Sequence, residues 1–230
     1  MLVGVVALAL PAALTWRVTP AAIPYIVASA VLELAYFALL AAVYNRADYA
    51  FAYPIARGSA PVLVLLISTV ALDAPVSALA ALGVLAVTAG VVLVRGIGTR
   101  AVDATSLVLA LGVGACIAGY TLVDDHGVRH AGAIPYFELV LVGATLPYVL
   151  AIGPGRIKRA TNRRSLPAGI GMAAAYLLVL AALERAEAAP VAALRETSVV
   201  IAAAFARTTS GARLAGSVLV VLGVAAVALG

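Results

Sequence analysis

Long apolar runs dominate the chain, and short polar or Gly/Pro clusters break them at near-regular intervals. A helix that crosses a bilayer needs about 20 mostly apolar residues. On that measure the pattern predicts nine spanning helices, at roughly 1–16, 21–44, 48–72, 76–95, 105–123, 132–152, 166–184, 187–206 and 211–230. Turns fall at Asn45-Arg46, Asp73-Ala74-Pro75, Gly96-Ile97-Gly98 and Gly153-Pro154-Gly155. The connections are short, so consecutive helices are expected to run antiparallel, and no stretch suits a soluble domain. The first run is short for a full crossing. It has no positively charged leader, so it reads as a membrane helix rather than a cleaved signal peptide.

Composition strengthens this reading. The 230 residues are 65% hydrophobic and 11% charged, with a mean hydropathy of +1.14, whereas a soluble domain carries about 25% charged residues. The expected fold class is therefore an all-α integral membrane protein whose first partner is the lipid bilayer. The net charge of +5 does not point to nucleic acid, because the basic residues sit mainly in short connections. Ten of the fifteen fall after the second, fourth, sixth and eighth runs: Arg46, Arg95, Arg100, Arg156, Lys158, Arg159, Arg163, Arg164, Arg207 and Arg213. The opposite connections hold Arg17, Arg129 and Arg185. Basic connections stay in the cytoplasm, which places Met1 inside and Gly230 outside, in a cell (inner) membrane. RIKRATNRR (156–164) contributes most to that asymmetry. The single cysteine, Cys116, lies in an apolar run and reads as a small buried residue.

An internal repeat organises the polar residues. RADYAFAYPIARGS (46–59) and RAEAAPVAALRETS (185–198) both open on Arg-Ala-acid, continue through apolar residues and then turn polar, at an offset of 139. A second match follows at an offset of 133: ALGVLAVTAGVVLV (81–94) parallels LAGSVLVVLGVAAV (214–227), with Gly83 and Gly90 answering Gly216 and Gly223. Matching the halves pairs run two with seven, three with eight and four with nine, and by extension one with six. Run 105–123 then has no mate. A five-helix unit is complete in the second half and lacks its first helix in the first half. Because five is odd, the second copy enters from the opposite side, giving an inverted-topology repeat. A chain start placed too far downstream, or a genuine nine-helix variant, would each account for the unmatched helix, and the abrupt apolar start favours the former.

The segments YPIARGSAPVLV (53–64) and GVLAVTAGVVLV (83–94), with APVAALRETSVVIAAAF (189–205) and LAGSVLVVLGVAAVAL (214–229), resemble the drug/metabolite transporter superfamily, specifically proteins with paired EamA domains. The resemblance implies two inverted EamA-like halves, here four plus five helices, over 1–96 and 105–230. It also implies a secondary carrier moving a small organic metabolite or drug-like solute by alternating access. The Gly-Glu-Arg-like turn common before the fifth helix of each half is replaced here by ALDAPVS (71–77) and ARTTSGAR (206–213).

Ionisable residues within spans are costly in lipid and mark pathways or binding sites by default. Arg57, Arg195 and Glu196 lie in the repeated segments, Glu33 in VLELAYF and Glu138 in PYFELVL. Structural ion pairs and a substrate or proton site are the two readings open to them. The repeat register sets Arg57 opposite Glu196, and a two-fold axis in the membrane plane would bring them together to flank a central cavity. Arg195 and Glu196 are neighbours about 100° apart on a helix and cannot face one another. Pro54 and Pro61 bracket Arg57, and each can kink the helix and free a carbonyl. Ser59 completes the polar break. Tyr53, Tyr120 and Tyr176 (with Tyr36 at a place similar to Tyr176) can offer a ring and a hydroxyl to a solute, or act as interfacial anchors.

Glu33, Glu138 and Glu196 are the candidates for proton coupling, with protons the coupling ion considered. DDHGVRH (124–130) has no standard zinc spacing and reads as a solvated loop, so no metal or cofactor is expected. No phosphate-binding G-x-x-x-x-G-K loop occurs. No G-x-S-x-G occurs either and neither histidine lies inside a run, so an intramembrane enzyme is a remote alternative. A truncated or non-transporting membrane protein is the other. The sequence does not identify the solute, the direction of transport or the oligomeric state.

Overall fold

The apolar runs form helices because lipid offers their backbone groups no partner beyond their own helix. The computed structural model describes residues 2–47, 49–95, 103–153, 165–205 and 211–230. Helices α1 (Leu2–Leu14), α2 (Ile23–Tyr44), α3 (Tyr49–Val70), α4 (Ala78–Arg95), α5 (Ala104–Gly127), α6 (Ala133–Ile152), α7 (Ser165–Leu183), α8 (Ala188–Arg195), α9 (Thr197–Phe205) and α10 (Gly211–Leu229) follow in order. A 3-10 turn, Pro20–Ala22, leads into α2. The basic segment 156–164 and Arg100 and Arg207 lie outside the described residues.

Among the described residues, six helical stretches are long and apolar enough to cross a membrane, and Leu2–Leu14 and Ala78–Val94 are shorter apolar helices. At about 1.5 Å per residue, the 13 residues of α1 span about 20 Å, short of a hydrocarbon core of about 30 Å. The surface is that of a membrane protein. Val70 is 80% exposed and Leu178 72%, while Asp124 is 1% exposed and Glu196 2%. Water would penalise both halves of that arrangement, whereas lipid favours the first and tolerates the second only when polar groups face protein.

Two features differ from the pattern-based expectation. The run expected as one helix at 187–206 is broken at Glu196 into α8 and α9. Helix α5 continues to Gly127, past the expected end at 123, and carries Asp124, Asp125 and His126 with it.

The chain divides into two compact units, Met1–Ala35 with Val123–Ala186, and Tyr36–Leu122 with Glu187–Gly230. Each draws on both sequence halves. In the first unit α1 packs on α6 and α7, with Gly4 against Leu141 and Ala173 and Gly169 against Val3. Tyr136, Phe137, Leu141 and Leu180 are fully buried there.

In the second unit α4 and α10 form the most extensive helix pair. They cross antiparallel with their backbones nearly touching. A Cβ on Gly83 would lie 2.6 Å from the Gly223 carbonyl oxygen, and one on Gly223 would lie 2.6 Å from the Gly83 oxygen. Gly90 and Gly216 meet in the same reciprocal way, at 2.7 Å each. Small residues permit this approach where lipid supplies no hydrophobic drive to bring helices together. Val84, Val87, Val91 and Val220 fill the seam around them.

Candidate functional site

The second unit holds a polar cluster that local backbone chemistry prepares. In α3, Pro61 has no amide hydrogen to give the Arg57 carbonyl four residues earlier. The next carbonyl, that of Gly58, accepts a hydrogen bond from Thr88 Oγ1 of α4 at 3.0 Å. That bond ties the proline-flanked turn to its neighbour. Gly114 of α5 packs against Ser59 and the Ala56 carbonyl, with no room for a Cβ. Across from this turn the backbone tightens at Glu196. Its amide donates to the Ala193 carbonyl at 3.1 Å, three residues back, and its own carbonyl accepts from Val199, three residues on, at 2.9 Å. These are 3-10 bonds inserted between two α segments, a pattern that marks hinges and sites when it falls mid-helix. Thr197 Oγ1 donates to the Leu194 carbonyl at 2.8 Å and supports the break.

The two interruptions face each other. Arg57 Nη2 lies 3.1 Å from Glu196 Oε1, with the side chains 15% and 3% exposed. Burying both ions costs several kcal/mol each, and a single close contact barely offsets that. The pair is also incompletely satisfied. Glu196 Oε2 and Arg57 Nε are buried and have no hydrogen-bond partner among the described residues. One unused acceptor and one unused donor therefore stand beside the ion pair.

Arg195 extends the cluster. Its Nη2 donates to Tyr120 Oη at 2.9 Å, and it also acts electrostatically on Glu196. Tyr120 is buried and meets Tyr36 edge-on, with ring centroids 6.3 Å apart. Tyr53 is half-buried on α3 one turn before Arg57. Ser59 Oγ donates back to the Ala56 carbonyl at 3.3 Å, a local bond of its own helix. The cluster thus gathers two guanidinium groups, one carboxylate and tyrosine rings, with a formal charge of about +1 at neutral pH.

Glu33, Glu138 and Tyr176 belong to the first unit. Glu33 and Glu138 are buried, and Glu138 Oε2 has no hydrogen-bond partner among the described residues. Tyr176 donates to Asp124 Oδ2 at 2.6 Å and stacks on Phe137 at 4.6 Å. Tyr136 donates to the other oxygen, Asp124 Oδ1, at 2.8 Å. The reading of 124–130 as a solvated loop is therefore corrected. Asp124 and Asp125 are buried at the end of α5, because two phenolic hydroxyls and Arg129, 3.3 Å from Asp125, satisfy them. Tyrosines 136 and 176, each inside an apolar run and each needing an acceptor, are the sequence signal that could have located this site. Among the described residues no group of three or more His, Cys, Asp or Glu side chains is disposed to hold a metal ion.

Comparison with known proteins adds no relative: no protein-family model matches the chain, and a search of curated proteins finds no match either.

Proposed function

We propose that this protein is a secondary carrier of EamA-like architecture that moves a small organic solute across the cell (inner) membrane by alternating access. On this reading about nine helices cross, as two inverted repeats of four and five. The observation that carries it is the ion pair between Arg57 and Glu196, which joins a proline-flanked helix to a broken one and leaves a donor and an acceptor unused. Interrupted helices that meet at buried charges are how carriers build a solute site at mid-membrane.

The glycine seam supports the inverted repeat. In repeat terms Gly83 answers Gly216 and Gly90 answers Gly223. In the α4–α10 packing each meets the mate of the other, Gly83 with Gly223 and Gly90 with Gly216. Reciprocal contact of this kind is what a two-fold axis produces. Arg57 meets position 196, its own repeat mate, as a residue beside such an axis does. The carboxylates Glu33, Glu138 and Glu196 are the groups available for proton coupling. Transport by this mechanism needs no cofactor and no bond-making step.

The test is transport itself. The purified chain is reconstituted in liposomes loaded with buffer, exposed to a cell metabolite extract, and the retained solutes are identified by mass spectrometry. Accumulation of specific solutes above protein-free liposomes, lost in the Arg57→Ala variant, is the expected result. Retention equal to protein-free liposomes across the extract would remove the carrier reading.

A further inference from the structure

At one end of the first unit, two connections are zipped into a small clasp. Val18 and Ala131 form an antiparallel bridge. Gly132 donates its amide to the Arg17 carbonyl at 2.8 Å, and Thr19 donates its amide to the His130 carbonyl at 3.1 Å. Thr19 Oγ1 reaches the same carbonyl at 2.9 Å. Three hydrogen bonds, two of them the backbone pair that makes the bridge, fix the link between α1 and α2 against the link between α5 and α6. The clasp forms one wall of an open pocket of about 570 Å³ lined by Trp16, Arg17, Thr19, Arg129, His130 and Glu184, among others.

The charges around the pocket do not cancel. Glu184 is committed: its Oε1 accepts the Ala133 amide at 3.1 Å, and its Oε2 lies 3.4 Å from Arg185. Arg129 is held by Asp125, with Nη2 3.3 Å from both carboxylate oxygens and Nε donating to the Asp125 carbonyl at 3.1 Å. That bracing leaves its Nη1 pointing to no acceptor among the described residues. His130 is braced from behind by Tyr25, its ring stacked at 5.7 Å. Arg17 makes no side-chain hydrogen bond or ion pair among the described residues, and its guanidinium Nε comes close to Gly132 at the clasp. With the Arg129–Asp125 and Arg185–Glu184 pairs each neutral, Arg17 leaves the pocket with a net positive charge and unused guanidinium donors.

We propose that this pocket binds a phosphate-type oxyanion, with Arg17 as its principal ligand and Arg129 Nη1 as its second. Guanidinium groups present paired N–H donors that match tetrahedral and planar oxyanions. The preformed clasp lowers the ordering cost of binding. The anion is either free phosphate or the headgroup of an anionic lipid, because Trp16, 55% exposed beside Arg17, is a residue type that sits at the headgroup level. The inference does not depend on transport, since the pocket lies wholly within the first unit and shares no residue with the Arg57–Glu196 cluster.

Trp16 is the only tryptophan of the chain, so its emission reports pocket occupancy directly. The full chain is placed in nanodiscs of phosphatidylcholine alone and titrated with inorganic phosphate at constant ionic strength. In parallel its emission is compared in nanodiscs containing phosphatidylglycerol. A free-phosphate site gives a saturable change in the first arm. A headgroup site gives a shift in the second arm that added phosphate does not reproduce. In either case Arg17→Gln weakens the response at least tenfold, Arg17→Lys retains a reduced response, and Arg46→Gln leaves it unchanged. No saturable response in either arm, or an equal response in Arg17→Gln, overturns the proposal.

Discussion

Removing Arg57 leaves a carboxylate buried in a low-dielectric interior without its nearest counter-charge. At 3.1 Å, and with an effective dielectric of about 20, the pair attraction is about 5 kcal/mol. The dehydration of both ions opposes it, so the pair as a whole is close to energetically neutral, whereas losing one partner costs about 3–5 kcal/mol. Arg195 also acts on Glu196, which places Arg57→Met at the lower end, about 3 kcal/mol. At about 2–4 °C per kcal/mol for a chain of this size, that corresponds to a fall in Tm of roughly 6–12 °C. The double variant Arg57→Met/Glu196→Leu removes both charges and fills the space with apolar groups, so its Tm should return to within a few degrees of the parent. The assay is thermal unfolding of the purified protein in one detergent, for the parent, both single variants and the double. If the single-variant losses simply add in the double, the two side chains are not coupled and the reasoning fails.

Three other outcomes follow from the same geometry. Gly83→Ala drives a methyl into the Gly223 carbonyl at 2.6 Å and should lower stability by about 1–3 kcal/mol, while Gly171→Ala, whose Cβ would meet nothing within 4 Å, should be neutral in the same melt. Tyr136→Phe deprives the buried Asp124 Oδ1 of its 2.8 Å donor and should cost about 1–3 kcal/mol, measured as Tm against Tyr148→Phe, whose exposed ring should tolerate the change. Asp103 caps α5, accepting the Ser106 amide at 2.7 Å and the Ser106 hydroxyl at 2.9 Å; these bonds hold its carboxyl below the usual value of 3.8. A lowered folded-state value means the cap's contribution is complete above the usual aspartate range and is lost as pH falls through the lower folded value, so amide exchange at the start of α5 should quicken in acid and become pH-independent in Asp103→Ala after correction for intrinsic rates.

The helical scaffold was legible in the chain because long apolar runs in lipid can satisfy their backbone only as helices. The encounter of Arg57 with Glu196 was legible from the 139-residue offset between two similar segments, which sets those two positions opposite one another. The break at Glu196 was not. No glycine or proline stands at 195–198, and the four polar residues there, Arg195 to Ser198, read as a polar interruption within one continuous helix. The break coincides with 3-10 bonds at the residue that meets Arg57, a tertiary contact. The burial of Asp124 was hidden for a similar reason. Its neighbours His126, Arg129 and His130 read as a solvated stretch, while the hydroxyls that satisfy it come from Tyr136 and Tyr176, 12 and 52 residues away. Tyr176, matched to Tyr36 by similarity of place, is held by that carboxylate in the first unit, while Tyr36 meets Tyr120 in the second. Composition could not separate these two tyrosine roles because ring and hydroxyl are the same in both. Ser59 reads as part of a polar break, yet its hydroxyl serves its own helix at Ala56.

The central claim is that the turn bearing Arg57 lines a pathway that opens to each side of the membrane in alternation. Ser59 sits two residues away, half-buried, and the single native cysteine, Cys116, is buried. The direct measurement is alkylation of Ser59→Cys in a Cys116→Ala background by a membrane-impermeant maleimide, applied separately to right-side-out and inside-out vesicles. Alternating access predicts labelling from both sides, with a transported solute shifting the ratio between them. Labelling from neither side, or a ratio that no transported solute changes, would contradict the account.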